Sequence, residues 1–124
     1  MNKAIVVKNA PAAVGPYVHA VQAGNLIFVS GQLGLNPTTG ELADGLVAQT
    51  EQALENLKAV LNEAGYELSD VVKTTVFIDD MNDFGKVNEI YAKHFGESKP
   101  ARSCVEVSKL PKGGLVEIEC MAAK

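Results

Sequence analysis

The chain has no tryptophan, only two cysteines and two histidines, and few aromatic residues of any kind (6%). Each shortage excludes something. With no Trp and no run of Lys or Arg, the chain lacks the basic, stacking surface that grips nucleic acid. Its charge points the same way: 15 acidic against 11 basic side chains, a net −4, which a phosphate backbone would repel. No apolar stretch approaches the ~20 residues of a membrane helix, so no membrane partner is expected. The apolar part of the opening Met-Asn-Lys-Ala-Ile-Val-Val-Lys is too short for a signal peptide. Cys104 and Cys120, without an export signal, predict a reduced, cytoplasmic protein, and strand alternation puts the two thiols on opposite faces. His19 and His94 lie far apart and match no metal-ligand spacing, so no metal or cofactor is expected. Lys112-Gly113-Gly114 falls in a hairpin, not at a helix start, and is no phosphate loop.

What is present suits one globular domain spanning residues 1–124. A chain of 124 residues with 47% hydrophobic and 21% charged content can bury a single core. Ala4–Val7 reads as a short strand, and Asn9-Ala-Pro-Ala-Ala-Val-Gly-Pro16 as a loop closed by Tyr17. Residues 18–23 and 26–30 read as a hairpin turning on Gly24-Asn25. Gly31 then removes a side chain where something approaches the backbone closely, and Asn36–Gly40 is a turn. Val47, Ala53, Leu54, Leu57, Val60, Leu61 and Ala64 recur at helical spacing and predict a helix over 47–64, with Gly65 just past its end. Residues 70–78 are rich in β-branched side chains and predict a strand. Asp79–Asp83 supplies N-cap residues for a helix over 84–95, with Phe84, Val87, Ile90, Tyr91 and Phe95 as its apolar stripe. Two further strands, from Pro100 and from Leu115, read as a closing hairpin.

The order β-β-β-α-β-α-β-β, with two amphipathic helices to cover, predicts a two-layer α+β domain with a six-stranded sheet and both helices on one face. The other sheet face is left bare. Either Lys73, Thr75 and Phe77 or Val72, Thr74, Val76 and Ile78 lie on it, depending on register. A half-apolar bare face packs on another subunit.

The candidate chemistry lies in the last two strands. If Val105 and Val107 join Val116, Ile118 and Cys120 in facing the core, then Arg102, Cys104, Glu117 and Glu119 share the opposite face. A guanidinium there could grip a substrate carboxylate bidentately, and Glu117 could act on water as a general base. Alternation alone equally suits a solvated face with a surface ion pair, and it favours that plainer reading. Cys104 has no basic activator beyond Arg102, and a strand cysteine of that kind is more often packing than nucleophile.

Beyond that point a resemblance carries the reading. Pro100-Ala-Arg-Ser-Cys-Val-Glu-Val, Leu110-Pro-Lys-Gly and Val116-Glu-Ile-Glu resemble the signature of the RidA (YjgF) family of reactive-intermediate deaminases. Asn9–Tyr17, Ser30-Gly-Gln, Asn36-Pro-Thr-Thr-Gly, Lys73-Thr-Thr-Val-Phe, Asn82-Asp-Phe and Val87-Asn88 with Tyr91 extend the likeness over nearly the whole chain. The resemblance implies a chorismate-mutase-like fold with a mixed sheet, forming a homotrimer whose sheets build a central barrel, with sites between subunits. It implies hydrolysis, without cofactor or metal, of 2-imino acids and their enamine tautomers to 2-oxo acids and ammonia. Removing these species protects pyridoxal-phosphate enzymes. Carried over by position, Arg102 would grip the substrate carboxylate and Glu117 would orient water. Ser30 and main-chain groups near Gly31 and Cys104 would hold the amino end, while Tyr17 and Asn88 would line the cleft. Two features depart from the family pattern near the site: the segment before Pro100 is short, and Lys99 stands where an aromatic is frequent. Both bear on substrate size. Cys120 also replaces a more usual small apolar residue. Two other readings remain, a non-catalytic 2-oxo-acid sensor or enzyme partner, and a ribonuclease, translation inhibitor or chaperone-like protein.

Overall fold

The computed structural model describes residues 1–124. Eight regular elements follow in chain order: β1 (Lys3–Ile5), β2 (Ala20–Ala23), β3 (Leu26–Leu33), α1 (Leu46–Glu63), β4 (Val71–Ile78), α2 (Phe84–Phe95), β5 (Ala101–Glu106) and β6 (Val116–Ala123). The α+β order matches the sequence reading. The strands form one six-stranded mixed sheet in the order β1-β2-β3-β6-β4-β5. All pairings are antiparallel except β4 with β5, which α2 joins as a parallel crossover. No helix is long and apolar enough to cross a membrane.

The helices form where the apolar spacing placed them. Ala53, Leu54, Leu57, Val60 and Leu61 of α1 are sealed against Ile27, Val29, Val116 and Ile118 of the sheet, and Val87, Ile90, Tyr91 and Phe95 of α2 join the same core. Such complete burial is worth about 1.5–3 kcal/mol for each large side chain. Gly65 ends α1 at φ +84°, the left-handed conformation that costs Gly least. Two buried polar side chains tie α1 to the sheet's loops. Asn56 donates to the carbonyls of Leu33 and Leu35 at 3.0 and 2.9 Å, and Gln49 accepts from the Leu115 N–H at 2.9 Å. At Gly34 the backbone of α1 comes so close that a Cβ would collide with Gln49 main-chain atoms.

The closing hairpin expected from sequence is not formed. β6 is flanked on both sides, by β3 and β4, so β5 is left to pair with the outer edge of β4. This changes which way β5 faces. Arg102, Cys104 and Glu106 align with Thr74, Val76 and Ile78, whose side chains face the helices. Val105 aligns with Phe77 and is 43% exposed on the bare face. Arg102 and Cys104 therefore lie on the helix side, whereas Glu117 and Glu119 align with Phe77 and Thr75 on the bare side. The grouping of all four on one face is overturned, because it needed Val105 in the core. Cys104 and Cys120 likewise share the helix side, not opposite faces. β4 runs between their strands, and both are free thiols. Of the two registers left open for β4, Lys73, Thr75 and Phe77 are the outward set.

Candidate active site

The site residues read from sequence assemble in two groups on opposite sides of the sheet. The first is centred on Arg102. β5 is an edge strand, and Arg102 on it stays exposed while lying along one side of α2. The guanidinium lies 4.7 Å from the Tyr91 ring centroid and 5.3 Å from that of Phe84. Its Nη1 donates to Asn88 Oδ1 at 2.7 Å. Phe84, Asn88 and Tyr91 are spaced i, i+4, i+7, a single stripe of α2. Flat aromatic faces attract the cation, and the amide fixes the direction of the fork without neutralising it. Lys93 pairs with Glu51, His94 Nε2 lies within 4 Å of Glu51 and Glu55, and no such contact includes Arg102. A cleft of about 450 Å³ opens beside the guanidinium, bordered by Asn88, Tyr91, Phe95 and Lys99.

Cys104 sits two residues further along β5, half-buried against the core. Burial pushes its thiol pKa up, against the opposing pull of Arg102. The effect of Arg102 anticipated from sequence is present but is the smaller one, and Cys104 stays a thiol rather than a thiolate nucleophile. Cys120, almost fully enclosed, is pushed up to about 12 by burial and then by Glu119.

The second group is centred on Glu117, near the start of β6 on the bare face. Across from it β3 gains an extra residue. Val29 pairs with Cys120 and Gln32 with Ile118, so Ser30 and Gly31 form a bulge, the device that re-aims a strand beside a site. The Glu117 side chain lies over Gly31, where a Cβ would come within 2.9 Å of its Cδ. The close approach inferred at Gly31 is thus made by the candidate base. Burial first, and the like charge of Glu119 second, raise the Glu117 pKa above the ordinary carboxylate value. The Ser30 hydroxyl donates to the Val18 carbonyl at 2.7 Å, so its proton is committed within the chain. Tyr17, 53% exposed, borders a cleft of about 420 Å³ together with Gly31, Glu117, Pro111 and Lys112.

Sequence reasoning missed a residue that shapes this second group. His19 is buried, accepts the Val7 N–H on Nδ1 at 3.0 Å, and so carries its proton on Nε2, which donates to the Pro11 carbonyl at 2.7 Å. It pins both ends of the loop that carries Tyr17. The only available signal was a lone polar ring within the apolar run Val18–Val21. The other histidine, His94, donates from Nδ1 to the Ile90 carbonyl at 3.1 Å near the end of α2.

Comparison with known proteins decides the family. The model of the family described as Endoribonuclease L-PSP, which covers RidA and YjgF, matches residues 7–124. The chain belongs to this RidA/YjgF family. A RutC family protein of Pyrococcus horikoshii is 55% identical, over 100% of this chain and 99% of the relative. The 2-iminobutanoate/2-iminopropanoate deaminase of Escherichia coli is 50% identical, over 100% and 99%. The crystal structure of E. coli TdcF with bound serine superposes with a TM-score of 0.94 at 44% identity, covering 98% of each chain.

Proposed function

We propose that this member of the family is an imine deaminase that hydrolyses 2-aminoacrylate/2-iminopropanoate to pyruvate and 2-iminobutanoate to 2-oxobutanoate. The observation that carries the reading is Arg102: a guanidinium oriented by Asn88 and two aromatic rings, opening on a cleft, with no acid of its own chain to neutralise it. A planar fork of that kind suits a carboxylate, which it can hold through two parallel hydrogen bonds. The named activity of the E. coli relative supports the same chemistry.

Arg102 and Glu117 lie on opposite sides of one sheet, so a single protomer does not unite them. The reading therefore includes an assembly in which Arg102 of one protomer faces Glu117 of the next. The bare face favours association, since it exposes Phe28 and Val105 beside half-exposed Phe77 and Met121, an apolar surface of the kind that covers itself with a second copy. We take the assembly to be a trimer whose bare faces close into a barrel, with Tyr17 of one protomer walling the cleft of its neighbour.

In that cleft Arg102 holds the substrate carboxylate, and Glu117, ionised, takes a proton from water as the water oxygen bonds to the imine carbon. The C=N electron pair moves to nitrogen, which takes the proton back from Glu117 to give a tetrahedral amino alcohol. Glu117 then passes the hydroxyl proton to nitrogen, the C–N bond breaks with its electron pair on the leaving ammonia, and the C=O bond forms. One water is consumed and one ammonia released. The carbon is already activated, so holding the acid and placing one water supplies most of the rate. Removal of these species in the cytoplasm would spare pyridoxal-phosphate enzymes.

The test mixes threonine dehydratase with threonine and follows the imine absorbance with and without this protein. Faster decay at catalytic stoichiometry is expected. Binding of 2-oxobutanoate without any acceleration would instead favour a sensor, which needs Arg102 but not Glu117.

A further inference from the structure

A second basic residue, Lys99, borders the Arg102 cleft, and within the protomer no Asp or Glu does. Like Arg102, Lys99 takes part in none of the ion pairs of the molecule. Its backbone is held in place. The Lys99 N–H donates to the Phe95 carbonyl at 2.8 Å, and its φ is +47°, a conformation that side chains bearing a Cβ seldom adopt. Pro100 follows with its fixed φ, and Ala101 is already paired in the sheet, opposite Lys73. The end of a helix accounts for a basic residue in general. It does not account for one that opens into the same cavity as an unpaired guanidinium. The Cα atoms of Lys99 and Arg102, three residues apart, are separated by at most about 10 Å, a span two extended side chains can share with one small ligand. Within one protomer the cavity of about 450 Å³ is bordered by two basic residues and no acid; Glu117 of the next protomer is engaged with water, and each carboxylate of a dicarboxylic ligand can then meet a cation of its own.

We propose that this site selects 2-imino acids bearing a second carboxylate, four- or five-carbon dicarboxylic imines, with Arg102 on the 2-carboxylate and Lys99 on the distal one. The proposal rests on the deaminase reading and names its substrate class. Hydrolysis follows the same balance as above, one water in and one ammonia out, leaving a 2-oxo dicarboxylic acid.

The test has two arms, each run on the full-length protein and its Lys99→Met, Lys99→Arg and Lys99→Glu variants. In the binding arm, calorimetry compares 2-oxoglutarate with 2-oxobutanoate. In the turnover arm, imines made by an amino-acid oxidase from glutamate and from 2-aminobutanoate are followed to ammonia. The native protein should favour the dicarboxylic member in both arms. Lys99→Met should lower the ratio about three- to fivefold, the size of one partly exposed ion pair; Lys99→Arg should keep it, and Lys99→Glu should reverse it. A ratio unmoved in Lys99→Met, or an equal loss for both acids, overturns the proposal. If 2-iminobutanoate is not hydrolysed but the binding ratio still follows residue 99, the deaminase reading fails and the ligand class stands.

Discussion

The Arg102 and Glu117 groups are built by opposite means. Arg102 stands on an edge strand and is steadied by side chains of a neighbouring helix, through one hydrogen bond and two ring faces. Glu117 stands on a central strand and is steadied by backbone: a bulge at Ser30–Gly31 and the missing Cβ of Gly31 make room for it. The cation is left without an ion-pair partner in its own chain; the acid's charge is made costly by burial and by Glu119. Each group therefore carries the charge the other lacks, on opposite faces of one sheet. This arrangement prevents the pair from quenching itself inside one protomer and leaves both charges for a ligand.

The largest effect should come from breaking the division between protomers. Arg102→Lys keeps the charge but loses the fork, and should lower kcat/KM for 2-iminobutanoate by about a hundredfold or more. Glu117→Gln should do the same by removing the base. Mixed assemblies of Arg102→Ala and Glu117→Gln chains, co-refolded in equal amounts, should then recover about a quarter of the native rate, because one in four random interfaces pairs two intact partners. A site contained within one protomer would recover nothing, and that result would sink the shared cleft.

Two glycines sharpen the contrast between side-chain and backbone support. At Gly31 the atom that a methyl would meet is the far part of the flexible Glu117 side chain; at Gly34 it is the main chain of α1. Gly31→Ala should thus fold almost normally but displace the base, lowering the rate by about ten- to a hundredfold. Gly34→Ala should push α1 off the sheet and cost about 1–3 kcal/mol of stability, read as a lower midpoint in urea. Equal stability losses in the two variants would show that Glu117 cannot yield.

A third effect is smaller and tests how Arg102 stays unneutralised. Asn88→Ala frees the guanidinium, so the rate should fall about three- to tenfold while the protein stays folded. Asn88→Asp replaces an amide oxygen 2.7 Å from Nη1 with a charged one. The resulting ion pair competes with the substrate carboxylate, so Asp should be worse than Ala, mostly through KM. If Asp matched or exceeded native Asn in turnover, an uncommitted guanidinium would not be what the site requires.

Much of this was legible in the residues. Helical spacing located α1 and α2 to within a residue, and Gly65 marked the end of the first. The open point was pairing. Alternation tells which residues of a strand share a face, but not which face, until a neighbour is known. Nothing local distinguishes a strand paired to the next in sequence from one carried past it by a crossover helix, and β5 took the second course. That one uncertainty reversed Arg102 and Cys104 while leaving Glu117 as read. His19 was illegible for a different reason: its partners are the Val7 N–H and the Pro11 carbonyl, main-chain groups that every residue possesses and no motif records.

The smallest effect separates the two contributions to the Glu117 pKa. Burial is the larger and Glu119 the smaller, and both raise it. A general base must be ionised, so kcat/KM falls as pH drops through that pKa. Glu119→Gln removes the like charge but leaves burial in place. The pKa should therefore fall, and the acidic limb of the kcat/KM profile should move to lower pH without a change in the plateau. Arg102→Ala acts across the proposed interface in the opposite sense, because loss of a facing cation disfavours the carboxylate, and its residual activity should show the limb displaced to higher pH. Opposite displacements from two residues on different protomers are expected only if Glu117 is the titrating group and stands between them. A limb that ignores both substitutions belongs to some other group, and would remove Glu117 as the base.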